Sequence, residues 1–67
     1  MKNLQKIRKL SGLSQSKLSE LANVNLSMIQ FYEQGFKDIN KAEALTVYKL
    51  AQALNCRMEE LLEFIQN

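Results

Sequence analysis

Histidine and proline are absent from this 67-residue chain, which contains only one cysteine and two glycines. The lack of proline, together with 46% apolar residues, favours a compact helical bundle over a disordered segment. A single cysteine excludes an intrachain disulfide and cannot build a cysteine-based metal site. We therefore expect Cys56 to pack as a small apolar side chain.

The residue types on which most enzymes depend do not occur together in this sequence. There is no glycine-rich phosphate loop and no pairing of histidine with serine or cysteine, and the carboxylates are predicted to lie on exposed helix faces. We therefore predict that the chain is not an enzyme and binds no metal or cofactor.

The length predicts one domain spanning residues 1–67, close to the size at which a single core is marginally stable, so a dimer would gain stability. No apolar run approaches the ~20 residues needed to span a membrane. The first three residues lead directly into a charged amphipathic segment. We therefore expect no signal peptide and a cytoplasmic protein.

The net charge of +2 is small, but it is unevenly distributed. Residues 1–41 carry seven lysines and arginines against three acidic residues, whereas residues 42–67 carry two against four. A polyanion would therefore approach the N-terminal part of the molecule.

The most informative stretch runs from residue 15 to residue 35, where the pattern predicts two short helices separated by a tight turn. Leu18, Leu21 and Ala22 share one face of the first helix. Ser14 precedes that helix and can accept a hydrogen bond from a free first-turn N–H. The first helix is therefore predicted to begin near Gln15.

The second helix of this pair is predicted to run from Leu26 to a stop at Gly35. Asn23 can end the preceding helix in the left-handed conformation, and Asn25 can cap the new one. Helical spacing directs three residues inward, namely Ile29, Tyr32 and Glu33. Four residues are left facing outward, namely Leu26, Ser27, Gln30 and Phe31.

These features together resemble the phage repressor and Cro helix-turn-helix family of transcription regulators. The resemblance extends from about residue 4 to residue 62. It rests on Leu-Ser-Gln at 13–15, Val24, Ile29, Glu33 with Gly35, Lys-Leu-Ala at 49–51 and Glu-Glu-Leu-Leu at 59–62. It implies an all-α, five-helix lambda-repressor-like DNA-binding domain with the helix-turn-helix at about 15–35.

The flanking segments are predicted from capping and periodicity. Asn3 can cap a first helix that runs to about Leu10, with the inward positions Leu4, Ile7 and Leu10. Residues 36–42 are predicted to form a loop with one helical turn at 39–41. A fourth helix is predicted from about Glu43 to Asn55. A last amphipathic helix is predicted through Met58, Leu61, Leu62 and Ile65, although Arg57 is a poor cap for it.

The resemblance also implies an ion pair between Arg8 and Glu33 that fastens the first helix to the recognition helix. The alternative is a solvated surface arginine. We favour the pair because an unpartnered carboxylate on an inward face would be costly.

The resemblance assigns base contacts to the outward face of the second helix and to the residue that opens the first, which gives Gln15, Leu26, Ser27, Gln30 and Phe31. Phosphate contacts are predicted at the ends of the two helices, from Gln15, Lys17, Gln34 and Lys37. Lys6, Lys9 and Lys41 can add positive charge, or can serve only to keep the surface soluble.

The outward face is unusually apolar for a DNA reader, because Leu26, Met28 and Phe31 are predicted to be exposed. No arginine or lysine occurs between Asn25 and Gln34. Two explanations remain open. The apolar side chains can pack on thymine methyl groups while polar neighbours make hydrogen bonds, or the face can bind protein, as in an antitoxin-like or anti-repressor module.

We expect a sequence-specific double-stranded DNA-binding transcription regulator that acts as a repressor, since no residues remain for an effector domain. A homodimer on a palindromic operator is the expected assembly. A protein partner is the alternative.

Overall fold

The structure is a computed structural model that describes residues 1–64. In these residues, four α-helices are joined by short connecting segments. The helices are α1 (Asn3–Leu10), α2 (Gln15–Ala22), α3 (Leu26–Gln34) and α4 (Ala44–Leu54), with 3₁₀ turns at Ile39–Lys41 and Met58–Leu61. Residues 1–64 contain no strand. The predicted all-α class is therefore confirmed.

All four helices contribute to one apolar core. Its largest fully buried side chains are Leu4, Leu18, Ile29, Leu50 and Leu61. Burying each of these contributes roughly 1.5–3 kcal/mol relative to exposure. Because α2 packs against both α3 and α4, the core joins the two helices of the tight turn to the rest of the molecule.

The N-terminus of α1 is stabilised differently from the prediction. Asn3 is the first residue of the helix and not its cap, so that prediction is wrong. Its side-chain Nδ2 donates to the carbonyl oxygen of Leu62 (2.7 Å), and its backbone N–H donates to the carboxylate of Glu63. A carboxylate that is distant in sequence therefore takes the place of a local cap.

Two leucines on the predicted apolar faces of α1 and α2 lie at the surface. Leu10 is 87% exposed, because at 3.6 residues per turn it lies about 120° around α1 from the buried Leu4. Leu21 is 54% exposed and lies on the rim of a groove between α2 and α4, opposite Tyr48 and Ala53. Leu4, Leu18 and Ala22 are buried, so only part of each predicted apolar face lies in the core.

The predicted fifth helix is replaced by the 3₁₀ turn at Met58–Leu61, so the expected number of α-helices is wrong. Arg57 supplies no side-chain cap. Instead its backbone N–H donates to Glu60 Oε2 at 2.7 Å. Leu62 is extended (φ −77°, ψ 153°), which carries the chain back towards α1. Ile65, predicted on the inner face of that helix, lies outside the described residues.

The segment between α3 and α4 agrees with the prediction. A single 3₁₀ turn covers Ile39–Lys41, and α4 ends where Asn55 adopts the left-handed conformation (φ 54°).

Cys56 is half-buried against the core. Burial raises the pKa of its thiol, and Glu60 raises it further. Within residues 1–64, no helix combines the length and apolar character required to cross a membrane.

Candidate nucleic-acid interface

The turn between α2 and α3 is fixed by local polar contacts. Ser14 Oγ accepts a hydrogen bond from the Lys17 N–H at 3.0 Å and opens α2, and Asn25 Oδ1 accepts from the Ser27 N–H at 2.8 Å and opens α3. Between them Asn23 has φ 55°. Both predicted caps and the predicted left-handed residue are confirmed, and Asn23 and Asn25 set the direction in which α3 leaves α2.

The inner face of α3 is buried as predicted. Ile29 is fully buried, and Tyr32 and Glu33 are 5% and 7% exposed. Burial raises the pKa of the Tyr32 phenol, and Glu43 raises it further, so the phenol stays neutral near pH 7. The inner face of α3 is therefore packed into the core through two large apolar side chains and one charged side chain.

That charged group forms the polar centre of the domain. Arg8 Nε donates to Glu33 Oε2 at 2.7 Å, and an Arg8 terminal nitrogen (Nη2) donates to Oε1 at 3.0 Å. The hydrogen bonds to Glu33 raise the pKa of Arg8, against the opposing effect of burial. The other terminal nitrogen, Nη1, donates to the carbonyl oxygen of Leu13 at 2.8 Å. This pair connects α1 to α3, as the resemblance implied.

Gln15 belongs to the same network. Its Nε2 donates to Glu33 Oε1 at 2.9 Å, and the side chain is half-buried. Glu33 thus receives three hydrogen bonds from two helices. The amide of Gln15 is not free in this structure, and its carbonyl oxygen and second N–H are the groups left for another partner.

The C-terminal end of α3 has the hydrogen bonds of a Schellman motif. The Phe36 N–H donates to the Phe31 carbonyl oxygen at 2.9 Å, and the Gly35 N–H donates to that of Tyr32 at 3.3 Å. Gly35 has φ +85°, which glycine adopts without steric cost. The turn brings the rings of Phe31 and Phe36 together, with centroids 6.3 Å apart and an edge-to-face angle of 65°.

The outer face of α3 is a narrow stripe of three exposed residues. Ser27, Phe31 and Gln34 are spaced by four and three positions and lie opposite the buried face. Gln30 lies beside them and is half-buried. Phe31 is 39% exposed. A polar hydroxyl, an aromatic ring and an amide therefore follow one another along the helix surface.

Two other residues are less exposed than the sequence predicted. Met28 is half-buried and packs against the core, and Leu26 is half-buried at the start of α3. The expectation of a continuous apolar Leu-Met-Phe surface is therefore wrong. Met28 lies on the flank of the helix, only about 100° from Ile29, which is close enough for a long flexible side chain to reach the core.

Exposed lysines lie at both ends of the helix pair, one in the first turn of α2 and one just after α3. Lys17 is exposed in the first turn of α2, and its Nζ lies 3.7 Å from Glu20 Oε1, a weak surface pair. Lys37 is exposed just after α3, and its N–H also donates to the Phe31 carbonyl oxygen at 3.2 Å. Gln34 and Lys37 therefore lie at the same end of the stripe as the two rings.

Two capped helices joined by a three-residue turn, with the second presenting an exposed stripe between lysines, define a helix-turn-helix DNA-binding unit. A family model described as helix-turn-helix matches residues 4–61 of the chain. The chain therefore belongs to the helix-turn-helix family of phage repressor and Cro type, and it is a DNA-binding transcription regulator. No match is found among curated proteins or among solved structures.

Sequence reasoning did not single out Phe36 or the hydrogen bond of Gln15 to Glu33. A signal for Phe36 was available, because an apolar residue just after the terminal glycine commonly contacts the helix residue five positions earlier in a Schellman motif. No comparable signal existed for Gln15, since the second oxygen of Glu33 becomes a target only when three helices meet.

Proposed function

We propose that the protein is a sequence-specific repressor that inserts α3 into the major groove of double-stranded DNA. One observation carries the proposal. The helix exposes Ser27, Phe31 and Gln34 along one stripe while its opposite face is locked in the core. An α-helix fits the major groove. A helix that reads bases there needs its inner face packed against the protein and its outer face exposed to the DNA.

We assign phosphate contacts to the ends of the two helices. The first-turn N–H groups of α2 favour an anion, and Gln15 and Lys17 lie beside them. Gln34 and Lys37 are the corresponding pair at the far end of α3. Lys17 must leave Glu20 to reach a phosphate, which costs little because the pair is exposed. The resulting contacts set the register of α3 without reading sequence.

We assign base reading to the exposed front of α3. The Ser27 hydroxyl and the Gln30 amide can hydrogen-bond to base edges, and Leu26 and Phe31 offer apolar contact. Gln15 can take part only through the groups that Glu33 leaves free. The interruption of the apolar surface by polar Ser27 and Gln34, and the packing of Met28, favour this assignment over a protein-binding face.

The proposed assembly is a symmetric dimer on a palindromic operator, with half-sites ~34 Å apart. Repression follows from occupancy of a promoter. Selection from a random duplex pool tests both points, because an inverted repeat would be recovered from a dimer. Recovery of a single unpaired half-site would contradict the dimer and leave DNA binding intact.

The salt dependence of binding to mixed genomic DNA tests the DNA-binding mode itself. Several phosphate contacts give a steep negative slope of log K against log salt, and a slope near zero would remove the proposal. Lys37→Ala is expected to reduce that slope by about one and to weaken binding to all sequences alike. Lys49→Ala is the matched control, since Lys49 lines the groove between α2 and α4.

Ser27→Ala tests base reading separately. It is expected to weaken binding to the selected operator while leaving binding to a scrambled duplex unchanged. Equal losses on the two duplexes would contradict a base contact from Ser27.

A further inference from the structure

We propose that the Phe31 and Phe36 rings form a single apolar surface that recognises thymine 5-methyl groups in the major groove. Base discrimination at the C-terminal end of α3 then depends on methyl groups and not on hydrogen bonds. The inference rests on the proposed DNA-binding function and names the feature of the DNA that this end of the helix reads.

The position of the two rings is the first observation. The rings touch edge to face, and both reach solvent, with Phe31 39% and Phe36 76% exposed. The Schellman motif explains why the two rings touch. It does not explain why Phe36 is three-quarters exposed, since burying a large apolar side chain would stabilise the fold. An exposed aromatic pair is therefore available to a partner.

The backbone hydrogen bonds that carry the pair are the second observation. The Phe31 carbonyl oxygen accepts hydrogen bonds from the N–H groups of both Phe36 (2.9 Å) and Lys37 (3.2 Å), so the residues after α3 are tied to its last turn. A surface ordered before binding loses little conformational entropy on contact, which favours affinity.

The chemistry of the helix front is the third observation. No arginine or lysine occurs between Asn25 and Gln34, so α3 lacks the bidentate donors that read guanine. The thymine 5-methyl is the apolar group on the major-groove edges of the bases. Lys37 directly follows Phe36 and can hold the adjacent phosphate, which would keep the rings at the groove.

Replacing single thymines by deoxyuridine in the selected operator tests the inference, because only the 5-methyl group is removed. Dissociation constants of the full chain are measured by fluorescence anisotropy at one salt concentration. For each methyl that the rings cover, the loss of affinity is expected to be roughly four-fold. At those positions Phe36→Ala should bind the thymine and deoxyuridine duplexes with a smaller difference in affinity than wild type, because only the Phe31 ring remains.

Phe36 is the residue to change first, because its exposed ring contributes little to the core and Phe36→Ala should fold normally by circular dichroism. Leu45→Ala is the matched control, since Leu45 is a 61% exposed apolar residue on α4. Leu45→Ala should lose as much affinity as wild type when thymine is replaced by deoxyuridine.

Three results would overturn the inference. The first is a wild-type protein that binds its operator with the same affinity after every thymine-to-deoxyuridine change. The second is a Phe36→Ala variant that binds both duplexes more weakly by the same factor and keeps the full difference between them. The third is a Phe36→Ala variant that binds DNA normally and no longer self-associates, which would make the rings a protein contact. In each case DNA binding persists, whereas failure of the proposed function would appear as the absence of salt-dependent DNA binding.

Discussion

Replacement of Arg8 by methionine is expected to destabilise the fold by an amount comparable with its total stability. The side chains of Arg8 and Glu33 are 9% and 1% exposed. Without Arg8, the Glu33 carboxylate keeps one hydrogen bond, from Gln15. Breaking a buried pair from one side costs roughly 3–5 kcal/mol, and a chain of this length is stable by roughly 3–10 kcal/mol.

Urea unfolding followed by circular dichroism at 222 nm measures this loss. The double variant Arg8→Met with Glu33→Leu removes the stranded charge, and it should recover at least about 2 kcal/mol relative to the single variant. Arg57→Met is the matched control. The Arg57 side chain is 77% exposed and lies 3.9 Å from Glu59, so its removal should change stability by less than about 1 kcal/mol.

Two results would refute this reasoning. If the free energy of unfolding of Arg8→Met lies within about 1 kcal/mol of the wild-type value, the Glu33 carboxylate is solvated or protonated at little cost. The pair then does not fasten α1 to α3. If the double variant is no more stable than Arg8→Met, the loss comes from packing of the arginine side chain and not from the stranded charge.

Three further predictions concern contacts outside this pair. Ser14→Ala should cost about 1 kcal/mol in urea unfolding through loss of the α2 cap, whereas exposed Ser16→Ala should cost nothing. Because burial raises the pKa of the Cys56 thiol, the unfolded chain loses this proton first. Stability should therefore fall as pH rises above about 8.5, and less so in Cys56→Val. Asn40→Ala removes its paired hydrogen bonds with the Glu63 backbone, so the Glu63 amide should exchange its hydrogen faster.

The parts of the fold that sequence predicted correctly depend on short-range chemistry. Ser14 and Asn25 cap helices because their side chains reach an N–H two or three residues away. Asn23 and Gly35 end helices because they tolerate positive φ. Such signals are contained in four or five consecutive residues, so they do not depend on how the rest of the chain folds.

The parts that sequence missed depend on residues far apart in the chain. The last segment bends back because Asn3 and Asn40 hold the backbone of Leu62 and Glu63. Periodicity alone favoured a helix in this last segment, because periodicity contains no information about hydrogen bonds between residues 23 to 59 positions apart. Likewise, the orientation of Gln15 is decided by Glu33 and not by its own helix.

The recognition helix itself departs from simple amphipathic patterning in both directions, since a glutamate is buried and a phenylalanine is exposed. Rotating α3 by half a turn would bury Phe31 and free Glu33, but it would also expose Ile29 and Tyr32, which are 0% and 5% exposed here. Arg8 offsets part of the cost of burying Glu33 by pairing with its carboxylate. Departures from local patterning concentrate at functional surfaces. The exposed ring is therefore best explained by what α3 contacts, and the buried carboxylate by what holds the helix in place for that contact.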